Sequence, residues 1–398
     1  MTLVDKDRPS EEWIAALKRT LPCETEIARV LDRKLRRRAG PPYSPVSLDT
    51  LCEGARALIR SQIGDEFEIL SAGWLSGGAS KLQMRFILRW AQPGVGRTET
   101  PMVLRMEPSE SIVETSRLRE FQLIKAAEFA VPVPPVFWLD QHGDFLPYPA
   151  IIYGFADGVT KPSGSVSNVT GLGINFGAGL RPVIGEQFVD HLVKIHKIDW
   201  AKADMSGFDV PQLGTQAVEW QINWWARIWA EDSHEDVPLV RYAERWLRAK
   251  MPAVDRVSVI HGDYRAGNFL YTEEDNRITA WLDWEMGHLG DRHKDIAYAC
   301  KRSSGHFSED GKTFLVNGLM SEDEFYQAYE RSSGEPVDLA RVRYYHVLNA
   351  YELAVLILAT GYRAVKGGKT HQDVVLSWLS GIGYPILEEL RVALEGAA

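Results

Sequence analysis

The sequence predicts an α+β chain of two lobes, a small β-rich one followed by a larger, mostly helical one. The length of 398 residues exceeds what a single core usually serves. Strand-like text gathers between 67 and 153, and past Gly154 a helical period takes over. A hydrophobic share of 45% with 25% charged residues excludes wholesale disorder and a fibrous repeat.

Three helices are expected at 10–19, 24–38 and 48–62, broken by Pro22 and the Pro41-Pro42-Tyr43-Ser44-Pro45 turn. Strands follow at 67–70, 81–89 and 102–105, a small antiparallel sheet in prospect. From 110 to 130, Leu118, Phe121, Ile124 and Ala127 recur at helical spacing until Val131-Pro-Val-Pro-Pro135 stops them. Two more strands are expected at 136–139 and 150–153. The stretch 160–182, rich in Gly, Ser and Asn, reads as a loop. Helices are then expected at 185–197, 215–231, 236–250, 321–332, 338–361 and 371–395, with short strands at 257–260, 269–271 and 279–282. The division is a helical N-terminal extension at 1–64, an N-lobe at 65–153 and a C-lobe at 154–398. A cleft between two lobes is where ligands usually bind.

The net charge of −9 argues against nucleic acid as a general partner. The longest apolar run, Leu353 to Ala359, is too short to span a bilayer and reads as a buried helix, so no membrane role is expected. The first residues lack the apolar segment of a secretory signal, and Cys23, Cys52 and Cys300 are odd in number and widely spaced. A cytoplasmic location is expected.

Four glycine-bearing segments could cradle phosphate. Gly171-Leu-Gly173-Ile-Asn-Phe-Gly177 has the wrong spacing for a dinucleotide fingerprint, and Gly368-Lys369-Thr370 follows a helix and reads as its closing turn. Gly287-His-Leu-Gly290 belongs with an acidic cluster. The fourth, Ser76, Gly77, Gly78, Ala79 and Ser80, is flanked by strands, where backbone N–H groups and serine hydroxyls can approach phosphate. A plain hairpin turn has the same composition.

Between 260 and 295 the chemistry concentrates: His261-Gly-Asp263-Tyr-Arg-Ala-Gly-Asn268, then Leu282-Asp283-Trp-Glu285, then Gly290-Asp291 and Asp295. Phosphoryl transfer needs a carboxylate to orient an attacking hydroxyl and oxygen ligands to hold Mg2+ on the nucleotide phosphates. Asp263 suits the first role, and Asn268 and Asp283 suit the second. A His-x-Asp-x-x-x-x-Asn run followed by a strand-borne Asp matches the kinase arrangement.

With these motifs the chain resembles the aminoglycoside phosphotransferase and choline kinase family, within the protein-kinase-like fold. Further landmarks are the 76–80 turn, Val103-Leu-Arg105, Arg119-Glu120, the Val131–Val136 passage and His196. Within the family it is most similar to the branch related to kinase-like segments fused to some acyl-CoA dehydrogenases. The resemblance implies a bilobal kinase fold, ATP or GTP with Mg2+, and a small-molecule hydroxyl as acceptor. It implies that Asp263 is the base, that Asn268 and Asp283 hold the metal, and that 76–80 covers the phosphates. Glu120 would pair with the basic residue at 105, and Tyr153, Gly154 and Phe155 would form the hinge that meets adenine. Where most members carry Lys, this chain has Arg105, which binds phosphate with a different geometry.

Other readings stand beside these. His261 shapes its turn or serves as an acid. Glu285 supports the metal or faces solvent, and Arg265 contacts substrate or pairs with a carboxylate. Asp291 and Asp295 ligate a metal or brace a helix. Trp220, Trp224, Trp225 and Trp229 fill a core or line a substrate wall. The first helices cover the β-rich lobe or mediate self-association as a homodimer. The leading function is a small-molecule kinase, its acceptor a hydroxyacyl compound or an aminoglycoside-like molecule. The alternatives are a catalytically weak nucleotide-binding scaffold and a metal-dependent hydrolase built from Asp263, Asp283, Glu285, His288, Asp291 and His293.

Overall fold

The computed structural model describes residues 5–75, 81–164, 173–371 and 373–397. Helices α1 (Glu11–Thr20), α2 (Thr25–Arg38) and α3 (Leu48–Ile63) come first, and serine caps at Ser10 and Ser47 satisfy free N–H groups of α1 and α3. Strands β1 (Phe67–Trp74), β2 (Leu82–Gln92) and β3 (Gly96–Met106) follow as an antiparallel meander. After α4 (Arg117–Ala127), β4 (Val136–Asp140) and β5 (Ala150–Gly154) complete a five-stranded sheet in the order β1-β2-β3-β5-β4.

Alternation along β3 sorts its side chains. Met102, Leu104 and Met106 join Met84, Phe86 and Leu88 of β2 in a core that α3 covers with Leu51, Ala55, Leu58 and Ile59. Val103 and Arg105 alternate with them and point to the opposite face, toward the cleft. The three N-terminal helices divide their packing. While α3 backs the sheet, Leu35 of α2 meets Ile14 and Leu17 of α1, and Ile27 and Leu31 of α2 enter the large C-lobe core.

The C-lobe holds α5 (Gly177–His196), α6 (Gln216–Asp232) and α7 (Pro238–Ala249), then the short strands β6 (Ser258–Ile260), β7 (Phe269–Tyr271), β8 (Ile278–Trp281) and β9 (His288–Gly290). It continues with α8 (His293–Ala299), a small hairpin of β10 (His306–Phe307) and β11 (Phe314–Leu315), and α9 (Glu322–Ser333). The chain ends in α10 (Leu339–Val355), α11 (Tyr362–Lys366), α12 (Asp373–Ser380) and α13 (Gly383–Gly396). Strand β6 pairs with β9, and β7 with β8. Trp224 and Trp225 are buried in the core. Among the described residues no helix is long and apolar enough to cross a membrane.

Four expectations change. The helix expected at 110–130 starts only at Arg117, capped by Ser116, because Glu110, Ser111, Glu114 and Thr115 are buried in a loop. The loop expected at 160–182 gives way at Gly177 to α5, which carries Pro182 inside it. The helix from 338 runs past 361 through a π-helical stretch, Leu356–Gly361. The expected helix 371–395 is two helices, parted at Gly381-Ile382.

Candidate active site

Strand β6 delivers His261, Gly262 and Asp263 into a loop that Asp295 of α8 staples from below. The Asp295 carboxylate accepts from His261 N at 2.7 Å and Gly262 N at 2.9 Å, and His196 Nε2 lies 3.3 Å from it. Gly262 has φ +83°, and a Cβ there would lie 2.5 Å from the Met286 carbonyl oxygen, so only glycine fits. Asp295 therefore braces the loop. Asn317 ties down its far end, accepting from Ala266 N at 2.7 Å and donating to Ala299 O at 2.6 Å.

His261 also shapes the loop. Its Nε2 donates to Leu282 O at 3.1 Å and its Nδ1 accepts from Asp263 N at 3.3 Å. Burial lowers its pKa against the pull of Asp295 and Asp263, and the ring stays neutral. Leu282 N in turn donates to Asn268 O at 2.8 Å. Leu282 is thus hydrogen-bonded to both ends of the loop, and Asp283 follows directly. Asp283 sits in the left-handed region at φ 64°, a conformation Asp tolerates, and its side chain is 34% exposed.

Asp263 is held by three neighbours. Arg265 Nε donates to Oδ1 at 3.0 Å, Asn268 Nδ2 donates to Oδ2 at 2.6 Å, and the Tyr298 hydroxyl donates to the carboxylate. Burial pushes the carboxyl up, but Arg265, Tyr298 and Asn268 outweigh it and hold the pKa below its ordinary value. Asp263 and Asp283 converge, since both charges act on Arg265, whose pKa they raise against burial, and on His261. The Asn268 amide nitrogen is spent on Asp263, so its side-chain carbonyl oxygen is the atom that could hold a metal.

Across the cleft, Arg105 Nη1 binds Glu120 Oε1 at 2.7 Å and Nη2 binds Asp283 Oδ1 at 2.8 Å. Glu285 lies elsewhere than the sequence suggests. It is 7% exposed, and its oxygens meet Lys81 at 2.9 Å, Arg117 at 3.0 Å and Arg105 at 3.3 Å. These cations outweigh burial and hold Glu285 well below the usual carboxylate range. It anchors cations, among them the Arg105 that also grips Asp283, and it does not face solvent.

The segment Ser76, Gly77, Gly78, Ala79 and Ser80 lies outside the described residues. At the expected hinge, Tyr153 pairs with Val103 in the sheet. Gly154 N donates to Pro135 O at 2.8 Å and Phe155 N to Pro101 O at 2.9 Å, so both amides are used within the chain. Asp291 pairs with His293 at 2.6 Å and Arg341 at 3.4 Å. Among the described residues no three His, Cys, Asp or Glu side chains gather as a metal cluster, so the hydrolase set does not assemble.

Sequence reasoning missed Lys81, Tyr298 and Asn317. Tyr298 alone had a signal, since it lies three residues after Asp295 on one helix and shares its face. Also missed was the brace behind α4, where Arg119 meets Glu24 at 2.9 Å and Ser116 Oγ donates to Glu26 at 2.5 Å.

The chain is 24% identical over 279 residues to acyl-CoA dehydrogenase family member 10 of Mus musculus, covering 67% of this chain and 25% of that protein. It is 24% identical over 211 residues to acyl-CoA dehydrogenase family member 11 of Homo sapiens, covering 50% and 26%. It therefore spans about a quarter of the length of these curated relatives. A crystal structure from Ralstonia eutropha, provisionally assigned as an aminoglycoside phosphotransferase, superposes with a TM-score of 0.62 at 20% identity, over 87% of this chain and 99% of that one. That likeness is one of fold, and the fold is protein-kinase-like. The model of the phosphotransferase enzyme family matches residues 85–345, from β2 through the loop of Asp263 and Asn268 into α10, and the chain belongs to that family.

Proposed function

We propose that the chain transfers the γ-phosphoryl group of ATP, or of GTP, to a hydroxyl of a small molecule, with Mg2+. The observation that carries this reading is the double hydrogen bonding of Leu282, which sets Asp283 beside Asn268 and Asp263. One amide oxygen and one partly exposed carboxylate are the hard donors Mg2+ prefers, so the residues fit the ion. Bound there, Mg2+ supplies neutralisation of the nucleotide's phosphate oxygens.

The remaining work falls to side chains. Ionised Asp263 orients the acceptor hydroxyl and takes its proton as the oxygen–phosphorus bond forms and the β–γ bridging bond breaks. Arg265 holds the Asp263 carboxylate in place at 3.0 Å. Arg105, kept on station by Glu120, presents charge to the phosphates where a lysine would serve elsewhere. Residues 76–80 cover the phosphates, and the adenine edge meets the carbonyls near 153–155, since the Gly154 and Phe155 amides are committed.

The names of the curated relatives support a hydroxyacyl acceptor over an aminoglycoside-like one. The three cysteines are free, which supports a reducing, cytoplasmic setting. One observation favours a second reading, a nucleotide-binding protein of weak activity: Arg105 already occupies Asp283 and competes with a metal for it. Phosphate transfer from labelled ATP into a panel of hydroxyl compounds, with Asp263→Ala as blank, separates the two. Labelled product above the blank supports the kinase; nucleotide binding without product on any acceptor supports the second.

A further inference from the structure

Lys301 follows α8 and stands beside the base without a counter-ion. Its ammonium lies 4.5 Å from the centre of the Tyr298 ring, and the Tyr298 hydroxyl binds Asp263. Lys301 is 7% exposed. Among the described residues its ammonium makes no hydrogen bond and no ion pair, and the ring of Tyr298 is its contact.

The charged groups that face it are Glu389 of α13, Asp263 and Arg265 of the loop, and Glu352 of α10. Two of the three carboxylates are engaged by other cations: Asp263 by Arg265 at 3.0 Å and Glu352 by Lys294 at 2.8 Å. Glu389 stays beyond ion-pair reach. Burial outweighs all three and lowers the Lys301 pKa. A lysine whose stem is buried while its ammonium keeps no protein partner is placed to take up an anion. Here the Tyr298 side chain links that ammonium to the carboxylate that would receive the acceptor's proton.

We propose that Lys301 binds an anionic group of the acceptor, a carboxylate or a phosphate, and so selects hydroxyl compounds that also carry an acid. This rests on the phosphotransfer reading and narrows its substrate class. A polycationic acceptor would meet Lys301 and Arg265 as like charges and be disfavoured. An acid would gain a charge-assisted contact, shielded from water, beside the hydroxyl that Asp263 orients.

Binding to the 398-residue chain tests this without requiring turnover. Calorimetric titrations would use 3-hydroxybutanoate, its primary amide, and glycerol 3-phosphate, the first and third separating carboxylate from phosphate. At least one acid should bind tenfold or more tightly than the amide. That advantage should vanish in Lys301→Met and persist in Lys301→Arg. Equal binding of acid and amide to the unaltered chain, no binding of either acid at millimolar concentration, or an advantage that survives Lys301→Met would overturn the inference. The unaltered-chain comparison holds even if a variant fails to fold. Acid binding at Lys301 with no transfer to any acceptor would remove the phosphotransfer reading and leave the anion site standing.

Discussion

The Arg105 guanidinium spans from Glu120, at 2.7 Å, to Asp283, at 2.8 Å, and so ties β3 to α4 and to the segment after β8. Lysine has one nitrogen and cannot hold both carboxylates in the same geometry. Arg105→Lys should lose one charge-assisted hydrogen bond, worth about 1.5–3 kcal/mol, or roughly 10- to 150-fold in kcat/KM for nucleotide. Arg105→Met strands buried carboxylates and should cost about 3–5 kcal/mol of stability in urea unfolding.

Glu285 and Asp283 differ in what they face, and their variants should differ in kind. Glu285→Gln weakens the hold on Lys81, Arg105 and Arg117 and should lower stability by about 3–5 kcal/mol. Asp283→Asn leaves a partly exposed site and should reduce Mg2+ affinity more than stability. Calorimetric Mg2+ titration in the presence of ATP, set beside unfolding curves, checks the pairing. A larger metal defect in Glu285→Gln would restore it as a ligand.

Stability should fall on mild acidification. Burial lowers His191 to about 4 and His288 to about 3, and it lowers His196 and His261 as well. A histidine whose folded pKa is depressed binds a proton more readily when unfolded. Its contribution is complete above about 6.5 and shrinks as pH falls toward the folded value. At pH 5 the loss is about 2 kcal/mol each for His191 and His288. Glu114, which burial and Glu107 push up to about 7, opposes this, because its protonation favours the fold as pH falls from 7 to 4.5. Burial also lowers His346 and His371 and raises Glu24 and Glu352, and six histidines against three carboxyls leave a net decline between pH 6.5 and 5, measurable as Tm.

A buried ion network fastens the N-terminal helices to both lobes. Asp232 of α6 binds Arg38 at 2.6 Å and Lys34 at 3.0 Å, and Arg38 also reaches Glu110 at 3.0 Å. Asp232→Ala leaves two cations short of a partner and should cost about 3–5 kcal/mol in chemical unfolding. A loss under 1 kcal/mol would mean that Glu231 and Glu110 absorb both charges.

The loop of Asp263 and Asn268 was legible because its logic is local: the residues lie within one turn between two strands. The sheet was legible from alternation, as in β3, where Met102, Leu104 and Met106 face α3. The surroundings of Glu285 were hidden because they depend on where the strand before it ends. Strand β8 stops at Trp281, and the positive φ of Asp283 turns the chain before Glu285. The late start of α4 was hidden because Glu110 to Ser116 fit a helix locally and are held in a loop by distant partners, such as Arg38 for Glu110. Lys301 carried no period or motif, and Tyr298 only its helical spacing from Asp295, since their significance is proximity to Asp263 and not spacing from it.

The account is tested most directly by following phosphate transfer and Mg2+–ATP binding in Asp263→Asn and Asp283→Asn side by side. It predicts that Asp263→Asn keeps nucleotide affinity within about threefold while transfer falls roughly 100- to 10,000-fold, the range of a lost general base. It predicts that Asp283→Asn loses metal-dependent nucleotide binding. Transfer by Asp263→Asn at the unaltered rate, or Mg2+–ATP binding indifferent to Asp283→Asn, would contradict it.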